Sequence, residues 1–493
     1  MAAVGVYGSI VLAQPSKSGY NSCKTSFGHG VIMTRRSKAK SAGPAIIVLL
    51  FGLMACPMAR AELTGGCAKV NITPPVGIPL IGSYGKPSES VLDDLYVRAL
   101  VLDDGHTTLA IVSADLLYAP LEEIAGPVRG LIGEKSGIPE QNVLVCGTHT
   151  HSGPEVFTRS KVRVDQTKPV SELDQAYLQT LIRKMASSAI MAHQNMKAVK
   201  IGVARGLLPE VVFNRRTITS DGSAVMTFSI SEEVASTRRI ETDREGQTLV
   251  SFVVDANKPE LKFGPVDPEL WVLRVEDANE NIVGSVVNFA CHPVCVYPYL
   301  PTAISADFPG DVTALVEQVE GGTCLFTLGT AGDMVPYQRG ERAHRQMGKA
   351  IGSEALRRLQ FAGTSDDVTL EARTRKIRFP VKQPDAGGAA EETGKVKEPI
   401  ETEMQVLRLG DIYILGLPGE ILAEVGLEIK KRAGIEKLVI VSLANDAIGY
   451  VCHSQAYDEG GYEPGRGSRL AKGAGEIMVA EALDLIDDIK SGD

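Results

Sequence analysis

The sequence predicts an α/β protein built from antiparallel or mixed β-sheets with helices over their outer faces. Three observations carry the prediction. Apolar runs of β-formers recur from Gly66 to the C-terminal region. Several come in pairs around turn residues, which marks antiparallel neighbours. Between them lie long segments with apolar residues at helical spacing, and such helices bury one face against a sheet.

In order, AKVNITPPVG (68–77) is a short strand stopped by two prolines. YVRALVLDDG (96–105) and TTLAIVSADL (107–116) form a hairpin through Asp103, Asp104 and Gly105. LEEIAGPVRGLIGEKSG (121–137) has helical spacing, and NVLVCGTH (142–149) is a buried strand. Residues 171–194 form an amphipathic helix, with Ser171 as N-cap and Leu173, Leu178, Leu181, Ile182 and Met185 on one side. Strands follow at 200–206, 269–277, 282–293 and 324–333, then a helix at 343–361. Strands at 368–381 and 403–420, a helix at 421–434, a strand at 437–446 and a closing helix from Ala474 complete the chain. Two polar, glycine-bearing stretches, 237–247 and 382–399, read as exposed loops. No internal repeat of fixed period is visible.

A chain of 493 residues with 44% hydrophobic side chains can bury a large core. The net charge of −9, with no Lys/Arg-rich block after residue 62, argues against a nucleic-acid partner. Residues 33–61 have the layout of an export signal. Arg35, Arg36, Lys38 and Lys40 precede an apolar run from Ala45 to Ala55, and Ala59-Arg60-Ala61 has the small-x-small form of a cleavage site. The run is about half of the ~20 residues needed to span a bilayer. Met33 is a more ordinary start than Met1. The expectation is an extension and signal peptide over 1–61, a single domain over 62–493, and a periplasmic or secreted product. A second reading of the segment is lipid attachment at Cys56, though Met54 fits that pattern poorly. Export implies an oxidising compartment. No CxxC pair occurs among the later cysteines, and Cys146, Cys291 and Cys324 sit in apolar runs as buried free thiols.

One event recurs four times. A run of β-formers ends and a polar residue able to bind metal follows: His149 after NVLVCGT, His292 after SVVNFAC, Glu420 after IYILGLPG, and Tyr450 after LVIVSLANDAIG. Strands of one sheet bring their ends to one edge, so these residues can converge. Two imidazoles, a carboxylate and a phenol suit zinc. Positions i and i+2 of a strand share a face, so His149 and His151 point the same way. Taken alone, each signal also fits a structural residue, and the residues by themselves lead no further than an exported hydrolase that uses zinc.

The ordered motifs resemble the neutral/alkaline, non-lysosomal ceramidase family, in its N-terminal catalytic domain. The matching pieces are AKVNITPPVGIPLIGSYG, YVRALVLDDG with AIVSADLL, THTHSGP, FNR at 213–215, NFACHP, ISADFPGD, LGTAGDMVP, LPGE and GYVCHSQAYDEGGYE, in family order from Ala68 to Glu463. The resemblance implies two packed β-sheets flanked by helices in four layers, α–β–β–α. It implies Zn2+ held by His149, His292, Glu420 and Tyr450, with His151 beside the metal. It gives catalytic roles to His151, Arg215 and Tyr462, the last two near the reacting carbonyl. The implied substrate is an N-acyl amide lipid, ceramide or a relative, with peripheral membrane contact and no nucleic acid. The family's Gly-Asp-x-Ser-Pro motif reads Gly332-Asp333-Met334-Val335-Pro336 here, so Val335 replaces a serine hydroxyl. The chain also ends without the family's immunoglobulin-like C-terminal domain. These departures leave an alternative open: a non-catalytic, zinc-containing lipid- or ligand-binding member.

Overall fold

The computed structural model describes residues 62–83, 86–155, 172–254, 261–383 and 397–492. The export signal, Cys56, Ser171 and most of the 382–399 stretch lie outside the described residues.

Three principal sheets share one construction. In the first, β1 (Thr64–Asn71), β2 (Tyr96–Asp103) and β3 (Thr108–Ala114) are antiparallel neighbours, and β4 (Val143–Gly147) joins β3 in parallel. In the second, β5 (Lys200–Leu207), β6 (Glu269–Glu276) and β7 (Ile282–Phe289) are antiparallel, and β8 (Thr323–Leu328) joins β7 in parallel. In the third, β9 (Leu370–Phe379), β10 (Ile400–Leu409) and β11 (Ile412–Gly416) are antiparallel, and β12 (Leu438–Val441) joins β11 in parallel. Each parallel step crosses over through a helix: α1 (Gly126–Ser136), α3 (Asp307–Glu320) and α5 (Ala423–Ala433) respectively. A parallel neighbour needs such a crossover, whereas an antiparallel one needs only a turn.

Alternation along the strands divides the core. Leu100, Ile111, Leu144, Trp271, Leu273, Leu325, Leu407, Ile414 and Val441 turn inward from all three sheets into one shared cluster. The opposite residues of the first two sheets pack under α1, α2 (Glu172–Gln194), α3 and α4 (Ala343–Leu359). The outer face of the third is covered by α5 and α6 (Ala474–Ser491), through Val425, Ile429, Met478, Leu485 and Ile486. The mixed α/β class with helices outside packed sheets is as expected. The strands are divided among three principal sheets, where the family resemblance implied two.

Other departures have local causes. The helix expected over 121–137 begins at Gly126, after a wider turn at Leu121–Ala125. Pro127 has no amide hydrogen and cannot continue a helix behind it. The α3 helix was not expected. Asp307, at φ 56°, and Pro309 obscure its start, and Val312 and Val316 are its buried helical pair. The polar stretch 237–247 contributes a strand, Arg239–Thr242, that pairs with Thr248–Ser251. Its turn is closed by Gln247 N–H donating to Asp243 Oδ1 at 2.7 Å. Among the described residues no helix is long and apolar enough to cross a membrane.

Candidate metal centre

The three parallel strand pairs explain the convergence. Backbone leaving the carboxyl ends of adjacent parallel strands opens into a crevice, the usual place for ligands in α/β sheets. Past β3 and β4 stand Leu117 and His149. Past β7 and β8 stand His292 and Ala331. Past β11 and β12 come Glu420 and Tyr450, which pair side by side in two short parallel strands, β13 (Glu420–Ile421) and β14 (Tyr450–Val451). Gly332 lets this last element approach. A Cβ there would lie 2.8 Å from the Ile421 carbonyl oxygen and 2.9 Å from that of Glu420.

His149 Nδ1 lies 2.9 Å from the Leu117 carbonyl oxygen, and His292 Nδ1 lies 2.6 Å from that of Ala331. A carbonyl only accepts, so both rings carry their proton on Nδ1 and turn a lone pair outward from Nε2. The two Nε2 atoms are 3.0 Å apart. Glu420 Oε2 lies 3.3 Å from one and 3.4 Å from the other, and no hydrogen-bond donor reaches it. Three buried acceptors therefore face one point with no donor among them. His151 adds a fourth: its Nε2 is buried and unpartnered, and one ring nitrogen from each of His149, His151 and His292 lies within 4.8 Å of the others, a group that could hold a metal ion. Burial, with Arg215 nearby, pushes His292 down to about 3, and burial beside the other two imidazoles holds His151 well below its ordinary value. The donor set fits a metal cation, which takes neutral imidazoles and a carboxylate.

No protein-family model matches the chain. Solved structures do. A neutral ceramidase from Pseudomonas aeruginosa superposes with a TM-score of 0.69, over 87% of this chain and 75% of its own, at 17% identity. The chain has the neutral ceramidase fold. A ceramidase complexed with C2 gives a TM-score of 0.67 over 87% of this chain and 76% of its own, also at 17% identity.

Within the ceramidase fold, the residues singled out from sequence come together, with corrections. His149 and His151 lie beyond β4 rather than on it, and His149 has φ 73°, a left-handed backbone that a non-glycine residue adopts at a cost. Their rings meet edge to face at 5.0 Å, so strand alternation is not what aligns them. Arg215 is buried, donating from Nε to Glu463 Oε1 at 2.8 Å and from Nη2 to Tyr450 Oη at 3.0 Å. Burial works against its charge, yet Tyr450 and Glu463 outweigh this and hold the guanidinium above its usual range. Burial, with the Glu420 carboxylate, keeps the proton on the Tyr450 phenol. Gly467 packs against that ring, where a Cβ would lie 2.6 Å from Cδ2. Tyr462 stands half exposed, its ring edge-on to Tyr450 at 5.7 Å.

Asp333 braces the site by accepting from Asn214 Nδ2 and from the Ala423 amide, both at 2.9 Å, and its carbonyl takes the Arg215 amide. Asp307 instead caps its own turn, accepting from Val296 N at 2.8 Å and Phe308 N at 2.7 Å. Val335 is fully buried in the apolar core and pairs with Phe213. His453 caps a short helix, Ser454–Glu459, through the Ala456 amide. The cysteines described are all free thiols. Sequence reasoning missed the Leu117 and Ala331 carbonyls, which every residue type carries, and Glu463, whose only signal is its place in the tyrosine-rich loop. Tyr297, in the YPYLP stretch that sequence offered as either a lipid entrance or core packing, stacks on His151 at 5.6 Å.

Proposed function

We propose that this chain is a zinc-dependent hydrolase of the neutral ceramidase family that cleaves an N-acyl amide, ceramide or a related compound. The observation that supports it most is the trio of mutually facing acceptors, His149 Nε2, His292 Nε2 and Glu420 Oε2, separated by 3.0–3.4 Å. At the ~2.0–2.1 Å bonds typical of zinc, the edge of a tetrahedral donor set is about 3.3 Å. His149, His292, Glu420 and Tyr450 hold the ion in this reading. When bound, zinc supplies Lewis acidity, lowering the pKa of water toward ~7 and polarising an amide carbonyl.

The chain's own groups do the rest. His151, kept neutral and with Nε2 unpartnered, accepts a proton beside the metal donors. Arg215, fixed by Glu463 and Tyr450, directs positive charge toward the oxygen that becomes negative as the amide carbon turns tetrahedral. Tyr462 stands at the mouth, where its hydroxyl can donate to the same oxygen. The basic and apolar segment at 33–61 supports an exported product, and a lipid substrate supports peripheral membrane contact.

A chelator-sensitive amidase assay on short- and long-chain N-acyl substrates, with zinc content measured on the same sample, tests this. Turnover that falls with chelation and returns with zinc is expected. Full zinc occupancy with no turnover would leave the second reading, a zinc-containing binding protein, which is favoured by one observation: Val335 offers no hydroxyl.

A further inference from the structure

Arg339 is the one guanidinium among the described residues in which all three nitrogens are closed to water and lack a hydrogen-bond partner. Buried charges are paired as a rule, and each exception calls for an explanation. Arg215 shows the usual solution, with Glu463 and Tyr450 as partners. Arg339 has none. Asp307 attracts it through space, but both Asp307 oxygens are occupied by the Val296 and Phe308 amides.

Its position ties it to the metal centre. The guanidinium carbon lies 3.9 Å from the centre of the Phe228 ring. Phe228 meets Tyr297 edge to face at 6.4 Å, and Tyr297 stacks on His151 at 5.6 Å. The backbone beside it is pinned to the His292 segment by Gly340 N–H donating to the Cys295 carbonyl at 2.9 Å. Thr227, next to Phe228, donates its amide to the Arg215 carbonyl at 2.8 Å. The two guanidinia repel each other: burial first, then Arg215, brings Arg339 down to about 10. Two guanidinia therefore stand near the imidazoles: Arg215 is hydrogen-bonded by the protein, and Arg339 has only the through-space attraction of Asp307. The ring that faces this guanidinium, Phe228, is itself 38% exposed.

We propose that Arg339 seats a carboxylate group of the substrate, so that the amide taken by this site is an acidic N-acyl compound, of the N-acyl amino acid kind, rather than a neutral one. A carboxylate matches the planar fork of a guanidinium, which donates two parallel bonds to it. Phe228 turns outward to admit it. The proposal rests on the hydrolase reading for which bond is cut, but not for the binding of the anion.

The test is calorimetric binding of N-hexanoylglycine and of its methyl ester to the zinc-loaded full chain, alongside hydrolysis of acidic and neutral N-acyl amides. The acid is expected to bind at least tenfold more tightly than the ester. Arg339→Met should abolish that preference and leave ester binding unchanged, while Arg339→Lys retains part of it. Arg339→Met should also melt higher than the parent in the absence of ligand, because an unpaired buried charge is removed. Equal binding of acid and ester, or a preference that survives in Arg339→Met, would overturn the proposal. If Arg339→Met fails to fold, the parent comparison and Arg339→Lys decide it. An intact acid preference with no hydrolysis of any amide would refute the hydrolase reading and leave the anion seat standing. Equal hydrolysis of acidic and neutral amides would refute the anion seat alone.

Discussion

His149 and His292 turn their Nε2 lone pairs toward each other across 3.0 Å, because the Leu117 and Ala331 carbonyls hold both Nδ1 protons on the far sides of the rings. Two acceptors at that distance repel, and Glu420 adds a third. This donor set could hold a cation, and if it does, metal binding and folding stability are measurable together.

Zinc should stabilise the fold. A ligand that binds only the native state at a hundred times its Kd contributes about 2.7 kcal/mol. The melting temperature should rise with zinc concentration and fall back on chelation. Differential scanning calorimetry with and without a chelator checks this.

Glu420→Gln should separate affinity from stability. The amide offers N–H donors where the carboxylate offers only acceptors, so it can satisfy a histidine lone pair. Metal affinity should drop while the metal-free protein gains about 1 kcal/mol from the new hydrogen bond. Urea unfolding of both apo-proteins, with zinc binding by competition, reads out the two effects.

The metal-free protein should lose stability on mild acidification. His292 has its folded pKa depressed to about 3 by burial, and His151 is lowered in the same sense. The unfolded chain, with histidines near 6.5, then binds more protons than the folded one between pH 6.5 and 3. The sign is that stability is present above pH 6.5 and declines as pH falls, by up to about 1.4 kcal/mol per pH unit for each such histidine. Unfolding midpoints from pH 8 to pH 5 give the slope, and His292→Ala should flatten it.

Arg215→Ala should cost stability as well as activity. It strips Tyr450 of a donor and leaves Glu463 with only Arg216, whose Nη1 lies 3.1 Å away. Breaking a buried pair from one side costs about 3 kcal/mol. Val335→Ser is the complementary case, replacing a fully buried core side chain and expected to cost about 1–2 kcal/mol. A variant that hydrolyses ceramide when the parent does not would show that the native substrate is a different amide. Both substitutions are checked by urea titration and by assay on matched substrates.

Much of the fold was legible because strand and helix periodicities are local. Most strands of the three sheets and the closing helix at Ala474–Ser491 follow from apolar spacing, though 403–420 read as one stretch and is two strands, β10 and β11. The repeated hairpin–helix–strand unit was not legible, since its three copies share topology but no residue pattern. At the metal centre, His149, His292, Glu420 and Tyr450 announced themselves as polar residues that end apolar runs. Their carbonyl braces did not, because a backbone oxygen leaves no mark on the sequence. Arg339 was also silent: an arginine in a loop ordinarily faces water, and only the three-dimensional surroundings reveal that this one does not.

The most direct measurement is the metal content of the purified protein, by elemental analysis, next to His149→Ala, His292→Ala and Glu420→Gln. One zinc per chain in the parent, with strongly reduced occupancy in each variant, is the expected result. A parent that carries no metal, and whose melting temperature is unmoved by added zinc, would contradict the assignment of these side chains to a metal centre.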